Sequence, residues 1–595
     1  MTLHALRALA SCLVLSLVLP SVAAAGDPIV TIESDTTWYY DFAEKTVPDI
    51  PGIPDLKFDG AFRQGSEDDS PIVEPGTAYV IAEGATLTLS VERELIAQAY
   101  LPNDLSGEGA VVLENGGGLS LLGANSYEGG TTVKDGSLAG SIDSLGGSIE
   151  VKSGATAITS LIMGDKDDSS TFAGKVDGAG YYVKSGDPTL LLDEANAELT
   201  QAGGTYVTGG ALQTRASMIP GRVILDVPPS LPPRNAADAV LTLFYGTDPI
   251  LALVQPEDET LADSISGIGA LIKYGEGTLI LDGTNSYSGG TTVIGGALQG
   301  DADSLVGDIA LDPAATLPVS SALPAGDSPV LEFVQDSAGT HSGNITGDTG
   351  SLVKAGAGTL SLRGVNSYGG GTKILGGGLN VKASNFTGDV KLGSIDSEDH
   401  LSTEDSQGDD YGGTAVLIFD ESSDASYSGT ITGSGNLEKL GAGILTLASN
   451  QSFDGRTIVT AGILDLAATL MSPIDVGAAG TLAGTGTSQG ELTAAGTISP
   501  RTMGTGESLT VTGATFADGS ILSVRVVAAD DLIGDADHLQ INGQATFDAD
   551  GTTLLDVDRL PSDYGEDPWN YLVATATGTF DNTDSLVAVD ISYLG

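Results

Sequence analysis

The segment "LILDGTNSYSGGTTVIGGALQG" at Leu279–Gly300 has a near-copy, "LSLLGANSYEGGTTVKDGSLAG", at Leu119–Gly140. Both begin with leucines on alternate positions and continue through a polar stretch to two glycines and a threonine. Alternating apolar residues place their side chains on one face of a β-strand. Glycine and asparagine supply the backbone angles that tight corners require. The phrase therefore predicts strands joined by corners, used as a structural unit rather than as a binding motif.

Five copies of this phrase occur along the chain, each identified by the threonine after the glycines. The intervals between these threonines are 74, 86, 81 and 85 residues, whereas the spacing inside each copy is stricter. Fixed internal spacing predicts strands held in register, and variable intervals predict loops that absorb insertions. The threonines are Thr131, Thr205, Thr291, Thr372 and Thr457; the leucines seven residues later are Leu138, Leu212, Leu298, Leu379 and Leu464; the preceding leucine pairs are Leu119/Leu121, Leu190/Leu192, Leu279/Leu281, Leu360/Leu362 and Leu445/Leu447.

A lysine precedes the glycines that lead into four of the five copies. The lysines are Lys184, Lys273, Lys354 and Lys439, and Leu113 occupies this position in the first copy. The repeating block of about 80 residues is too long for one coil of a solenoid and would hold three or four coils of roughly 20–25 residues. The pattern therefore predicts an all-β parallel solenoid in which each strand lies on its counterpart in the next coil.

The composition agrees with narrow coils. The 595 residues include 83 glycines, and only 5% are aromatic although 41% are hydrophobic. Lysine and arginine total 24 against 79 aspartate and glutamate residues, a net charge of −55. Such a charge repels phosphate backbones, so nucleic acid is excluded as an expected partner.

The N-terminal 25 residues are predicted to be a secretory signal peptide cleaved after Ala25. Cys12 is the only cysteine, so the mature chain would have no disulfide and no cysteine metal site. We expect no transmembrane helix after cleavage. The predicted organisation is a signal peptide at 1–25, an N-terminal cap and first coils at 26–100, a β-helix of five repeat units at 101–470, and C-terminal coils with a cap at 471–595.

The pattern "KxGxGTLxLxGxNxYxGGTxVxxGxL" resembles the passenger-associated repeat of bacterial autotransporters. The likeness is closest at Lys273–Leu298 and Lys354–Leu379, weaker at Lys439–Leu464 and weakest at Lys184–Leu212. The resemblance covers roughly residues 100 to 470. It implies a right-handed parallel β-helix with capping regions. It further implies a protein that passes through the periplasm to the outside of a Gram-negative cell.

The region after the repeats resembles the last coils of such passengers. The resemblance implies that Gly480–Val526 and Asp537–Val557 form terminal coils, closed by the aromatic residues Tyr564, Trp569, Tyr571 and Phe580. Autotransporters continue into a barrel that inserts in the outer membrane, but this sequence ends at "VDISYLG". We therefore expect a truncated product rather than a passenger that is exported by another route.

Few residues in the sequence are suited to catalysis. Three histidines follow the signal peptide: His341, His400 and His538. His341 aligns with Tyr427 between repeats, which predicts a structural position. The string "GDSP" at Gly326–Pro329 departs from the "GDSG" of serine proteases, because Pro329 replaces a glycine that helps shape the oxyanion hole. We predict no catalytic residue and no cofactor, and hence no enzyme.

One acidic segment, "DSEDHLSTEDSQGDD" at Asp396–Asp410, is the best candidate for a metal site. Calcium takes six to eight oxygen ligands, but neither the EF-hand spacing nor the calcium nonapeptide occurs. A solvated loop is the favoured interpretation and calcium the alternative. The candidate ligands are Asp396, Glu398, Asp399, Glu404, Asp405, Asp409 and Asp410.

These observations predict a secreted or surface-displayed passenger that acts as an adhesin or a structural spacer. Its partner would be a ligand or glycan on a host or neighbouring cell, contacted first through the loop at Asp396–Tyr411. Two alternatives stay open. One is a secreted β-helical enzyme that degrades polysaccharides with paired carboxylates. The other is an extracellular structural protein stabilised by calcium.

Overall fold

The computed structural model describes residues 29–43, 59–64, 73, 77–92, 98–140, 148–152, 156–160, 170–185, 189–226, 249–312, 328–393, 413–500, 508–526, 538–547, 553–559, 574–576, 580–581 and 586–592. These residues fall into two compact units, one up to Ile294 and the other from Gly295. Each unit is built of short strands that pair in parallel with strands of the next coil. The predicted all-β parallel β-helix is confirmed.

The first unit contains stacks of strands with one strand from each successive coil. They are Ile29–Ile32, Ala78–Ile81, Leu105–Gly107 and Ser126–Tyr127; then Asp59–Arg63, Thr36–Ala43, Thr86–Ser90, Ala110–Glu114, Thr131–Val133, Ser148–Val151, Lys175–Gly178 and Glu198–Leu199; then Gln98–Leu101, Gly118–Leu121, Ser137–Gly140, Thr156–Ser160, Tyr181–Ser185, Thr205–Val207, Val223–Leu225, Ile265–Gly267 and Ser286–Tyr287; then Ser170–Phe172, Leu190–Leu192, Ala211–Thr214, Ile250–Val254, Ala270–Tyr274 and Thr291–Val293; and finally Glu259–Leu261 and Thr278–Leu281. A 3-10 helix at Ala216–Met218 is the one helical element among the described residues of this unit.

The second unit continues with the same kind of stack. Its strands are Ile309–Leu311, Ile345–Gly347 and Asn366–Tyr368; then Ala297–Gly300, Val330–Val334, Ser351–Ala355, Thr372–Ile374, Val390–Leu392, Ile431–Gly433 and Ser452–Phe453; and then Gly339–His341, Thr359–Leu362, Gly378–Val381, Val416–Asp420, Ala425–Tyr427, Asn436–Leu440, Ile444–Leu447, Thr457–Leu466, Thr469–Leu470, Ile474–Gly484, Thr487–Ala494, Thr497–Ser499, Ser508–Phe516, Ile521–Val526, His538–Ile541, Ala545–Phe547, Thr553–Arg559, Ala574–Ala576, Phe580–Asp581 and Leu586–Ser592.

The strand register sets the length of one coil. Leu251 pairs with Leu271, and Leu271 pairs in turn with Thr291, so equivalent positions recur at the same interval in successive coils. In the second unit Leu331 pairs with Leu352, an interval only one residue longer. These intervals confirm the predicted coil of roughly 20–25 residues.

The alternating leucines fill the interior of the coils. Leu360 and Leu362 are fully buried, while Ser361 between them faces outward and is half-buried. All five leucine pairs and all five leucines that follow the threonines are buried. Burying a leucine side chain contributes about 2 kcal/mol. The repeated leucines therefore form the interior that holds successive coils together.

An aromatic cluster covers the first coils at the N-terminal end. The strand Asp59–Arg63 pairs antiparallel with Thr36–Ala43, in contrast to the parallel pairing elsewhere in the described strands of this unit. Trp38 packs against Tyr79 with ring centroids 4.7 Å apart, and Phe62 is also buried. Large buried rings therefore pack together in the region predicted to be the N-terminal cap.

The strands continue in parallel register through the C-terminal region. Phe516 stacks on Phe547 of the next coil with ring centroids 5.1 Å apart. The region at 471–595 thus contains coils, as expected from the resemblance. Of the predicted aromatic plug, Tyr564, Trp569 and Tyr571 lie outside the described residues, and Phe580 begins the strand Phe580–Asp581.

Replacing Leu360 with alanine is expected to lower the free energy of unfolding of the surrounding coils by about 3 kcal/mol, because a buried leucine leaves a cavity. Hydrogen exchange of the strands at 351–362 would measure the loss locally. The outward-facing neighbour supplies the control, since Ser361→Ala should leave exchange nearly unchanged. Equal protection of wild type and Leu360→Ala would contradict the assignment of this residue to the interior.

Candidate functional site

The tyrosine of the repeated "NSY" is joined to the threonine four residues later. The hydroxyls of Tyr287 and Thr291 lie 2.6 Å apart, and those of Tyr368 and Thr372 lie 2.8 Å apart. The first copy has the same contact at 2.6 Å between Tyr127 and its threonine. Burial raises the pKa of Tyr287 to about 12, so the phenol stays neutral. This hydrogen bond closes the corner between two strands and satisfies two buried hydroxyls.

Two copies lack this tyrosine, and each supplies another partner for its threonine. In the second copy, Gln201 donates from Nε2 to Thr205 Oγ1 at 3.1 Å. In the fifth copy Phe453 replaces the tyrosine, and the hydroxyl of Thr457 lies 2.7 Å from that of Ser472. The buried threonine is thus hydrogen-bonded in all five copies. Its recurrence is explained by the coil alone.

The asparagine of "NSY" also serves the corner. Asn285 accepts a hydrogen bond from the backbone N–H of Ile265 at 2.7 Å, and Gln451 does the same for Ile431 at 2.6 Å. Both side chains accept from a backbone group of the preceding coil where the strand ladder is interrupted. A polar side chain that satisfies a buried backbone N–H avoids the loss of a hydrogen bond inside the protein.

The repeated lysine lies inside the coil and bonds to backbone carbonyls. Lys354 is fully buried, and its Nζ donates to the carbonyls of Ala355 at 2.5 Å, Gly356 at 2.8 Å and Gly376 at 3.1 Å. Gly376 belongs to the next coil. The ammonium therefore clamps the turn after its own strand to the following turn, and uses all three of its protons.

The other lysines also bond to backbone carbonyls, Lys273 to that of Gly275 at 2.7 Å and Lys184 to that of Gly209 at 2.6 Å. Lys439 donates to Leu440, Gly441 and Ala461 at 2.6, 2.8 and 3.2 Å. Each of the four lysines pairs with the aliphatic residue two positions after the threonine, and Leu113 pairs with Val133 in the same way. The predicted equivalence of Leu113 with the lysines is confirmed. The carbonyl ligands were not predicted, because they depend on backbone orientation in two coils.

Burial lowers the pKa values of three of these lysines, Lys273, Lys354 and Lys439. The pKa of Lys273 falls to about 7 and that of Lys354 to about 8, while Asp258 and Asp336 respectively oppose the shift. For Lys439, the carboxylates of Glu421 and Asp420 oppose the same effect of burial on the pKa. Since no substrate-accessible surface reaches these fully buried side chains, we interpret them as structural.

His341 occupies a structural position, as its alignment with Tyr427 predicts. His341 pairs with Leu362, and Tyr427 pairs with the equivalent Leu447 one repeat later. Its Nδ1 lies 3.0 Å from the carbonyl oxygen of Leu305, and burial lowers its pKa. The ring packs edge-on against Phe333 with centroids 5.4 Å apart.

Within the described part of the chain, the remaining candidates for chemistry are not brought together. His538 Nδ1 lies 3.5 Å from the hydroxyl of Ser508, its register partner on the neighbouring strand, which is the outer limit of a hydrogen bond. His400 lies outside the described residues, as do the first two residues of the "GDSP" string.

All seven predicted calcium ligands, from Asp396 to Asp410, also lie outside the described residues, and calcium binding stays a prediction. In the part of the chain that is described, no three histidine, cysteine, aspartate or glutamate side chains are arranged to hold a metal ion. Several described carboxylates cap corners instead. Asp258 accepts from the backbone N–H of Thr278 at 2.7 Å, and Asp389 accepts from that of Thr430 at 2.8 Å. Hydrogen bonding from Thr430 holds the pKa of Asp389 below its usual range.

One ion-pair cluster was not predicted from the sequence. Arg215 follows the strand Ala211–Thr214 and donates from Nε to Glu259 at 2.5 Å. Glu259 in turn accepts from the backbone N–H of Ser217 at 2.9 Å, which fixes the 3-10 helix against the next coil. The two residues are far apart in the sequence, so no local pattern links them.

Known proteins share the repeat described above. The Passenger-associated-transport-repeat family matches residues 114–139, 271–299, 352–381 and 437–466. These ranges contain the first, third, fourth and fifth copies of the phrase. The second copy, around Thr205, is not among them, although Lys184 and Leu212 occupy the same places in its coil.

Two relatives match part of the chain. The chain is 34% identical over 154 residues to the "Adhesin BmaC autotransporter" of Brucella suis biovar 1 (strain 1330), which is 25% of this chain and 4% of the relative. It is 31% identical over 137 residues to the "Uncharacterized protein YuaQ" of Escherichia coli (strain K12), which is 22% of this chain and 10% of the relative. The chain therefore spans a small fraction of the length of either relative.

The protein is a parallel β-solenoid whose coils are built from a repeated corner. Its repeats are passenger-associated transport repeats, and the resemblance to autotransporter passenger domains is confirmed. Such a domain is secreted or exposed at the surface of a Gram-negative bacterium. Among the described residues, no helix combines the length and the apolar character needed to cross a bilayer.

Removing the phenol of Tyr368 with phenylalanine is expected to cost about 1 kcal/mol, because the buried hydroxyl of Thr372 loses its partner. Replacing both partners, as Tyr368→Phe with Thr372→Val, should cost less than the sum of the single changes. Denaturant titration of the four variants would give the coupling energy. Additive costs would show that the contact contributes nothing.

The buried lysine gives a stability that depends on pH. Because the pKa of Lys273 is about 7 when folded and about 10.4 when unfolded, the unfolded chain binds more protons between these values. Stability should therefore rise with pH from 7 to 10, and Lys273→Met should remove this part of the rise. Melting temperatures across this range would measure it, with the exposed Lys134→Met as control. An identical pH profile for both variants would contradict the prediction.

Proposed function

We propose that the chain is a non-catalytic passenger that acts as an adhesin or a structural spacer outside the cell. Its path would run through the periplasm after removal of the signal peptide. The observation that carries this proposal is the use of the repeated polar residues. Thr372 bonds to Tyr368, Lys354 bonds to carbonyls and Asn285 bonds to a backbone N–H, all within one coil or between neighbouring coils. A repeat whose polar groups all serve the coil is a scaffold.

Extra residues enter the scaffold at one place in the repeat. Three coils are longer than their neighbours. The strand register shows this, since Leu212 pairs with Leu251, Leu298 with Leu331 and Leu379 with Leu417. Each added segment begins after equivalent strands, namely Val223–Leu225, Ile309–Leu311 and Val390–Leu392. The register is kept on both sides of every insertion. Insertions of this kind on solenoids carry binding loops.

The mechanism that follows is display. The coils fix the strands from which the inserted segments leave and to which they return, and these segments would contact a ligand on another cell. The segment at 394–412, which contains the acidic residues Asp396 to Asp410, is the first candidate for that contact. The name of the Brucella relative, an adhesin, supports this role. The alternative of a polysaccharide-degrading enzyme requires carboxylates grouped across coils.

The purified mature chain on beads should adhere to mammalian epithelial cells or to a second bacterial strain. Replacing residues 394–412 with a short Gly-Ser turn should reduce adhesion at least tenfold and leave the β circular dichroism unchanged, because the flanking strands keep their register. Replacing residues 313–327 in the same way tests another of these segments, and Ser361→Ala, at an outward-facing strand position, supplies the control. Adhesion that survives every loop replacement would contradict display by these segments.

A second measurement separates the classes of function. Incubation with plant and bacterial polysaccharides should release no new reducing ends, and sustained turnover would overturn the non-catalytic assignment. In the same preparation, addition of EDTA tests the calcium alternative. An unchanged melting temperature would remove calcium as a stabiliser.

A further inference from the structure

The second copy of the repeat carries aromatic residues at two positions where the other copies do not. Tyr181 stands three residues before the buried lysine, and Tyr206 directly follows the threonine. The first position holds alanine, serine or asparagine in the other copies: Ala110, Ala270, Ser351 and Asn436. The second holds Thr132, Thr292, Lys373 and Ile458. The coil therefore needs no aromatic ring at either place.

Both tyrosines face away from the interior of the coil. Tyr182 and Lys184 on the same strand are fully buried, and so are Thr205 and Val207 on either side of Tyr206. Because strand side chains alternate, Tyr181 and Tyr206 point outward. Each is half-buried rather than covered. Their rings meet edge to face, with centroids 5.5 Å apart and planes at 79°.

An arginine completes this surface. Arg222 is exposed and lies directly before the strand Val223–Leu225, which pairs with the strand of Tyr206. Burial raises the pKa of Tyr206, and the nearby positive charge of Arg222 opposes that shift. The equivalent position holds Ser148, Asp308, Asp389 and Pro473 in the other copies. An arginine thus replaces an aspartate of two sister copies, in a chain whose net charge is −55.

The side chains of Tyr181 and Arg222 lie close to the two glycines before the threonine. A Cβ atom on Gly203 would lie 2.9 Å from Cδ1 of Tyr181, and one on Gly204 would lie 3.0 Å from Cγ of Arg222. The tyrosine and the arginine therefore lie directly over bare backbone. Ser266, on the strand beyond Ile224, adds a hydroxyl at the border of the surface.

We propose that Tyr181, Tyr206 and Arg222 form a binding surface for an oligosaccharide that contains a carboxylated sugar. Two ring faces at a steep angle form a corner against which the apolar face of a sugar packs, and the phenols bond its hydroxyls. The guanidinium pairs with the carboxylate through two parallel hydrogen bonds. The contact is local, because salt at physiological strength screens more distant charges beyond about 8 Å. This inference rests on the proposed adhesin role and names the ligand class for it.

The sister copies supply substitutions that the coil already accepts. Tyr181→Ala introduces the residue found at Ala110 and Ala270, and Tyr206→Thr introduces the one found at Thr132 and Thr292. Arg222→Asp introduces the residue of two other copies. Circular dichroism and melting temperature should therefore match those of the wild type. Tyr206→Phe keeps the ring and removes the hydroxyl.

Saturation-transfer NMR and calorimetry on the full mature chain would test the proposal with 3′-sialyllactose and tri-galacturonic acid. Lactose and the methyl ester of tri-galacturonic acid are the neutral counterparts. At least one acidic probe should bind at least tenfold tighter than its counterpart. Tyr181→Ala and Tyr206→Thr should each weaken binding at least tenfold, and Tyr206→Phe should weaken it less. Arg222→Asp should abolish the preference for the acid.

The matched control is Thr292→Ala in the third copy, which should leave affinity unchanged. Failure of both acidic probes to bind, equal affinity for the neutral probes, or unchanged binding by the tyrosine variants would overturn the proposal. An adhesion assay with beads coated with the wild-type chain distinguishes failure of the sugar-binding surface from failure of the adhesin role, because it tests adhesion without either sugar probe. Beads that adhere equally with and without Tyr206 would leave that role intact and remove this surface from it.

Discussion

The whole structure depends on the register in which parallel strands of successive coils pair. Every strand residue must point in the same direction as its partner one coil away, because a shift by one residue would turn the interior leucines to solvent. Leu251, Leu271 and Thr291 show this constraint, since they pair in sequence over three successive coils. The register restricts what the sequence can change inside a coil. It places almost no restriction on the length between strands, as the much longer step from Leu379 to its partner Leu417 shows.

The polar interior of the corner tolerates exchange as long as each hydrogen bond has a partner. The buried hydroxyl of Thr205 bonds to Gln201, whereas that of Thr372 bonds to Tyr368. The position of the buried lysine also tolerates exchange, since Leu113 occupies it in the first copy. Where this position holds Lys354 or Lys439, the ammonium bonds to three backbone carbonyls at once. Where this position holds leucine, the turn keeps the same backbone conformation, since Asn115 has a positive φ of 73° where Gly356 and Gly441 have 82° and 75°.

The parts of the fold that were predictable are those set by local spacing. The leucine pairs, the threonines and the lysine position all repeat at fixed distances, and the coil length follows from them. The partners of these residues were not predictable, since the hydroxyl of Tyr287 and the carbonyl of Gly376 become ligands only through the path of the backbone. Arg215 and Glu259 meet although they are distant in the sequence, and no periodicity links them. The predicted calcium ligands lie outside the described residues, so the sequence remains their only support.

The antiparallel strand Asp59–Arg63 has a consequence for how copies of the protein meet. A stack of parallel strands offers its last backbone edge to any other strand, and two such ends can join into a filament. Here the chain reverses direction and occupies one edge itself, through the pairs from Tyr39 with Arg63 to Ala43 with Asp59. An incoming copy would meet a strand of the opposite polarity, flanked by two charged residues. An incoming copy therefore could not extend the parallel ladder of this sheet without pairing first with this reversed strand.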